Sequence, residues 1–212
     1  MSDLTSVICY NGGAGGDFLK ALCLTQFFDQ SFFMIEDTGM IEFEQHYFKS
    51  QCEQYYHSPI DWTTIDKSKI QPVDNTHYYF DWFHNIFSKI YYIDYQDNIV
   101  NVILDTYIAK RHCGNTEEFI EVALSKIPKK LQKMIPKPNA LMAIEKNWIR
   151  NQRAWRSNAN MHAINLKDVF DLTKIKTIVT DITQKDLVNL ESFEQLHLVW
   201  TEKNQNLLQA HL

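Results

Sequence analysis

Glycine and proline are scarce in this chain, with six and five in 212 residues. No linker rich in Gly, Ser or Pro, no low-complexity tract and no internal repeat interrupts it, so residues 1–212 are expected to form a single domain. Cysteine is scarce too: Cys9, Cys23, Cys52 and Cys113 are widely spread, with no C-x-x-C pair. They read as free thiols of a reducing compartment rather than as a zinc site or disulfides. No apolar run approaches the roughly 18 residues of a membrane span, so no membrane association is expected. A charged leader followed by a hydrophobic segment is also missing at the start, and a cytoplasmic location is expected. Excess positive charge is lacking: a net charge of −5 and a pI near 5.9 argue against general nucleic-acid binding.

What is present is a core. Hydrophobic residues make up 45% and aromatics 13%, enough to fill an α/β domain. The glycines are concentrated in one place, with four of the six falling in five positions, Gly12, Gly13, Gly15 and Gly16, directly after the apolar run Val7-Ile8-Cys9-Tyr10. An apolar run without polar alternation suits a strand covered on both faces. Asp17 then precedes Phe18, Leu19, Ala21 and Leu22 at helical spacing. Strand, glycine turn and helix start together make an anion cradle of the phosphate or sulfate kind, because the helix amides point into a turn free of Cβ atoms. A tight structural β–α turn that binds nothing is the competing reading. No Gly-Lys-Ser/Thr closes the turn, so it is not a Walker A sequence.

Further along, the spacing predicts a helix over Phe18–Phe28 and a strand at Ser31–Ile35, hence a β-α-β unit in a mostly parallel sheet. A helix is expected around Glu42, Phe43, His46, Tyr47 and Phe48, with His46 and His57 ordinary surface or core residues, and Pro59 and Pro72 bracketing a loop. Thr76–Phe80 reads as a short strand and Lys89–Ile93 as a stronger one. A polar turn at Asp94–Asn98 leads from it into an apolar helical side from Ile99 to Ile108. Helices are expected over Glu117–Ile127 and Asn139–Trp155, a strand over Met161–Leu166, a turn or short helix at Asp168, and an amphipathic helix from Lys185 onward. Lys126, Lys129, Lys130, Lys133 and Lys137 cluster as a solvated basic loop or a surface for an anionic substrate. Arg150, Arg153 and Arg156 read either as helix-surface groups or as a phosphate contact.

This order of pieces resembles the P-loop-containing sulfotransferases, which move a sulfuryl group from the nucleotide donor PAPS to an acceptor hydroxyl or amine. The family's first strand leads into a loop of the type P-K-x-G-T-T-x-L, matched by Asn11-Gly12-Gly13-Ala14-Gly15-Gly16-Asp17-Phe18-Leu19. Its T-H pair is matched by Thr76-His77, the strand leading to its 3′-phosphate site by KIYYI, and its late strand by MHAINLKDVFD. The resemblance implies an α/β fold of the P-loop nucleotide-binding type, with a central mostly parallel sheet flanked by helices. It implies PAPS as cofactor, held by Gly12, Gly13, Ala14, Gly15, Gly16, Asp17 and Phe18, with His77 as the catalytic base and His84 its competitor. The partners it implies are the nucleotide and an unknown acceptor, with a homo-oligomer compatible. The family's loop lysine and paired hydroxyls are not matched, Asp94–Asn98 stands where the family has its 3′-phosphate arginine, and the closing R-K-G loop is missing. A small ATP-dependent phosphotransferase and a non-catalytic binding or assembly protein that keeps the fold are the alternatives.

Overall fold

Val7 and Ile8 are fully buried because β1 (Ser6–Cys9) lies inside the main sheet, with a hydrogen-bonded strand on each side. The computed structural model describes residues 5–28, 33–38, 40–43, 47–57, 61–125, 135 and 139–210. The sheet has the order β4 (Val73–Thr76), β1, β5 (Lys89–Asp94), β6 (His162–Asn165), and every pairing in it is parallel. Ser6 is level with Val73 on one side and Lys89 on the other. Side chains alternate between the two faces. Ile8, Tyr91, Ile93 and Ile164 join the cluster that also holds α1 (Gly16–Leu24). Val7, Cys9, Ile90 and Tyr92 join one built on Phe48 and Cys52 of α2 (Tyr47–His57) with Trp82, Phe83 and Phe87. Each fully buried side chain of this size contributes roughly 1.5–3 kcal/mol.

The chain leaves β1 for β4 on one side, then returns past β1 to β5 and β6 on the other. The carboxyl ends of β1 and β5 therefore flank the point where the winding reverses, the usual ligand position in an open parallel sheet. The glycine turn follows β1, and the Asp94–Asn98 turn follows β5.

Helices α3 (Val100–Arg111), α4 (Thr116–Ser125) and α5 (Ala140–Arg156) match the predicted ones to within a few residues. Four expectations are corrected. The strand at Phe33–Ile35 (β2) stays out of the main sheet and pairs antiparallel with β3 (Ile41–Phe43), so the helix expected around Glu42 and Phe43 starts only at Tyr47. The strand expected at Thr76–Phe80 lies earlier, at Val73–Thr76, because Tyr78 and Phe80 are drawn into an aromatic stack with Tyr56 and Trp82. The helix expected from Lys185 begins at Leu190 (α8, Leu190–Lys203) and is followed by α9 (Gln205–Gln209). Before it come α6 (Leu166–Val169) and α7 (Leu172–Thr183), the latter unanticipated. Ser31, Phe32, His46, Pro59 and the lysine cluster from Lys126 to Lys137 lie outside the described residues.

Candidate functional site

The turn after β1 is shaped by two glycines in the left-handed region, Gly13 at φ 81° and Gly15 at φ 79°. Asn11 closes it by accepting from the Ala14 amide at 3.1 Å, and Gly15 caps α1. No side chain caps that helix, so the first-turn amides of Gly16, Asp17 and Phe18 have no capping partner and concentrate partial positive charge there. The helix is otherwise sunk in the core: of its residues only Asp17 is not buried.

A cleft opens against this turn, lined by Gly13, Gly15, Asp17, Tyr107, Lys110 and Trp200 among others. Its volume is about 40 Å³. Since one water needs about 10–15 Å³ by this measure, the space suits the tetrahedral end of a ligand and not a whole nucleotide. The glycines also serve the protein's own rings. A Cβ on Gly12 would meet the Tyr107 ring at 3.1 Å, one on Gly15 the Trp200 ring at 3.0 Å, and one on Gly16 the Tyr10 ring at 2.2 Å. Trp200 is itself stacked on Phe18 at 4.1 Å.

Tyr10 both lines the cleft and carries a polar network away from it. Its hydroxyl accepts from Lys49 Nζ at 3.1 Å and from Asn75 Nδ2 at 3.4 Å, and Asn75 also donates to Asp17 Oδ1 at 2.8 Å. Lys49 Nζ stands 3.7 Å from the same carboxylate. Burial works against the charge on Asp17, yet Lys49, His77 and the bonds from Tyr10 and Asn75 outweigh it and hold the carboxyl below its ordinary value. Burial first, then the Asp17 charge, pushes the Tyr10 hydroxyl well above its ordinary value. His77 packs on Tyr10 with ring centroids 4.6 Å apart and places Nδ1 3.0 Å from the Tyr10 carbonyl oxygen. A carbonyl only accepts, so Nδ1 carries the proton and, in the neutral ring, the lone pair is on Nε2.

Of the sequence-predicted residues, Gly13, Gly15, Asp17 and Phe18 face the cleft, while Gly12, Ala14 and Gly16 are buried. His77 does not line it and is joined to it through Tyr10. His84 is bonded to Tyr79 at 3.1 Å on an exposed surface. Arg153 and Arg156 are drawn to the second turn: Arg153 pairs with Asp97 at 2.8 Å, and Arg156 with Asp94 at 2.7 Å and Asp97 at 2.9 Å. Arg156 also donates to the Tyr95 carbonyl. Arg150 bonds Asn147 of its own helix. Asp94 and Asp97, in the turn that stands where the family has its 3′-phosphate arginine, are thus neutralised by Arg153 and Arg156. Asp94, Asp97 and Arg156, together with Gln96, Asn165 and Lys167, line an open polar hollow of about 470 Å³ at the ends of β5 and β6.

Lys49, Asn75 and Lys110 were not found by sequence reasoning. Asp74-Asn75 inside an apolar-flanked segment is a usable signal, since buried polar residues demand partners. Nothing marks Lys49 or Lys110, which arrive from α2 and α3 by folding alone. Among the described residues no group of His, Cys, Asp and Glu is arranged to hold a metal, the four cysteines are free, and no helix is long and apolar enough to cross a membrane. No protein-family model, curated protein or solved structure matches the chain.

Proposed function

We propose that this chain is a sulfotransferase-like α/β protein that takes the phosphosulfate end of PAPS on the glycine turn and passes the sulfuryl group to an acceptor hydroxyl or amine. The observation that carries this reading is the uncapped N-terminus of α1, opening through two left-handed glycines into a cleft at the point where the sheet's winding reverses. Its size suits one tetrahedral group, with the nucleotide extending beyond it. In this reading His77, which stands against Tyr10 rather than in the cleft, is the base: Nε2 takes the proton of an acceptor that approaches from its side of Tyr10, the acceptor oxygen or nitrogen bonds to sulfur, and the bond from sulfur to the bridging oxygen breaks to release PAP. The turn amides stabilise the charge that builds on the transferred group.

Thermal melts with PAPS, with PAP and with ATP plus Mg²⁺ test the reading. A ligand at 100 times its Kd adds about 2.7 kcal/mol, equivalent to a rise of roughly 5–10 °C in a chain of this length. A rise with PAP supports PAPS chemistry; a rise only with ATP and Mg²⁺ replaces it with the phosphotransferase. His77→Ala is expected to slow transfer by about 10²–10⁴-fold while leaving the PAP shift in place.

The rings of Tyr107 and Trp200 over the turn favour a second reading, a non-catalytic binding or assembly protein that keeps the fold. It predicts no shift with any of the three ligands.

A further inference from the structure

The turn itself contains no cation to meet an oxyanion. We propose that Lys110, carried on α3, supplies it, with its ammonium contacting the terminal oxyanion seated at the start of α1. This rests on the anion-binding reading of the turn and adds to it one residue with a defined role.

Lys110 lines the cleft together with Gly13 and Gly15. Its Nζ is held by two neutral acceptors, the Lys203 carbonyl at 3.0 Å and Asn204 Oδ1 at 2.7 Å. An ammonium has three donors, so one hydrogen is left for a ligand once the other two have fixed its direction. Neither acceptor cancels the charge, and the charged neighbour that acts on it, Lys203, is of like sign. Lys49 differs, being already committed to Asp17 at 3.7 Å. Half-buried and facing Lys203, the Lys110 ammonium is pulled down to about 8, by burial first and by Lys203 second. An oxyanion in the cleft offsets both effects, and the cost of leaving that charge uncompensated becomes affinity.

Lys203 on α8 acts on the Lys110 ammonium, and the other titratable groups lining the same cleft are Tyr107 on its own helix and Tyr10 and Asp17 beside the turn. Asp17 is held low and both tyrosines high, so none of these three changes charge near neutral pH.

Isothermal titration with sulfate, inorganic phosphate and PAP at low ionic strength, at about pH 7 and about pH 9.5, reads the role directly. The wild-type protein is expected to bind about tenfold or more weakly at the higher pH, because Lys110 has lost its proton there. Lys110→Met should bind about 10–100-fold more weakly at the lower pH and show no pH dependence with sulfate, whose charge is constant over this range. Lys110→Arg should keep the binding and abolish the fall, because a guanidinium stays charged throughout. Lys203→Gln should move the fall to higher pH. Wild-type binding that Lys110→Met retains in full, or a fall that persists in Lys110→Arg, overturns the role of Lys110 and leaves the turn as an anion site. Absence of binding of all three probes to the wild-type protein overturns the anion reading and this inference with it. A urea midpoint for each variant separates lost binding from lost folding.

Discussion

Lys20, the fifth residue of α1, is only 1% exposed, bonded to Asp74 at 2.8 Å with Phe43 under its ammonium at 4.7 Å. Removing one member strands a buried charge, so Lys20→Met alone is expected to cost about 3–5 kcal/mol. The Lys20→Met/Asp74→Leu double variant should lose clearly less than the two singles together, as read from urea midpoints in a double-mutant cycle. Glycine positions divide by what surrounds them. Gly16→Ala drives a methyl to 2.2 Å from the Tyr10 ring and should lower stability by about 1–3 kcal/mol. Gly15→Val combines a left-handed backbone with the Trp200 ring, so loss of binding in that variant would reflect misfolding as much as a blocked cradle. Lys110 is the cleaner probe of the site. At this scale the sequence announced the glycines and hid the lysines, because a glycine cluster is local whereas Lys49 and Lys110 reach the cleft only through the packing of α2 and α3.

Among the elements, α7 shows why a helix goes unread. Its segment, LTKIKTIVTDIT, is rich in β-branched residues that disfavour helix. Yet Ile175, Val179 and Ile182 recur at steps of four and three, and Asp171 caps the start by accepting from the Thr173 and Lys174 amides. Asp171→Ala should cost about 1 kcal/mol, visible as a lowered urea midpoint. The hairpin of β2 and β3 misleads in the opposite way. Phe33–Ile35 has strand character, but a strand's partner is chosen by the fold, and β4 rather than β2 completes the unit that begins at β1. β4 is VDNT, a poor strand sequence, held because Asp74 and Asn75 find Lys20 and Asp17 on α1. The two turns of the site are latched by Asn11, which donates to the Tyr95 hydroxyl at 2.5 Å. Tyr95→Phe leaves Asn11 short of a partner and should cost about 1–3 kcal/mol.

Across the whole molecule the titrating groups pull in one direction. Burial opposes ionisation of Asp17, Asp97 and Asp181, but Lys49, Arg153 and Arg156, and Lys89 with Tyr91, respectively, outweigh it and depress all three. A depressed carboxyl contributes stability above its unfolded value of about 3.9 and loses it as pH falls through the folded one. Burial also keeps His197 below its ordinary value, so the unfolded chain binds its proton first and stability falls further as pH drops below about 6.5. Stability is therefore expected to decline from about pH 6.5 downward and to drop more steeply below about pH 4, as measured by urea melts across that range.

Read by itself, the sequence determined the α/β class, the strand–glycine-turn–helix at the start, and most of the helices, because these follow from runs and periods of residues close together along the chain. The tertiary structure decided which strand lies beside β1, that Arg153 and Arg156 neutralise Asp97 and Asp94, and that Lys49 and Lys110 stand near the glycine turn. Those outcomes depend on charges and edges brought together from residues far apart in the chain, and packing, which no local pattern encodes, selects among the arrangements that the same local elements allow.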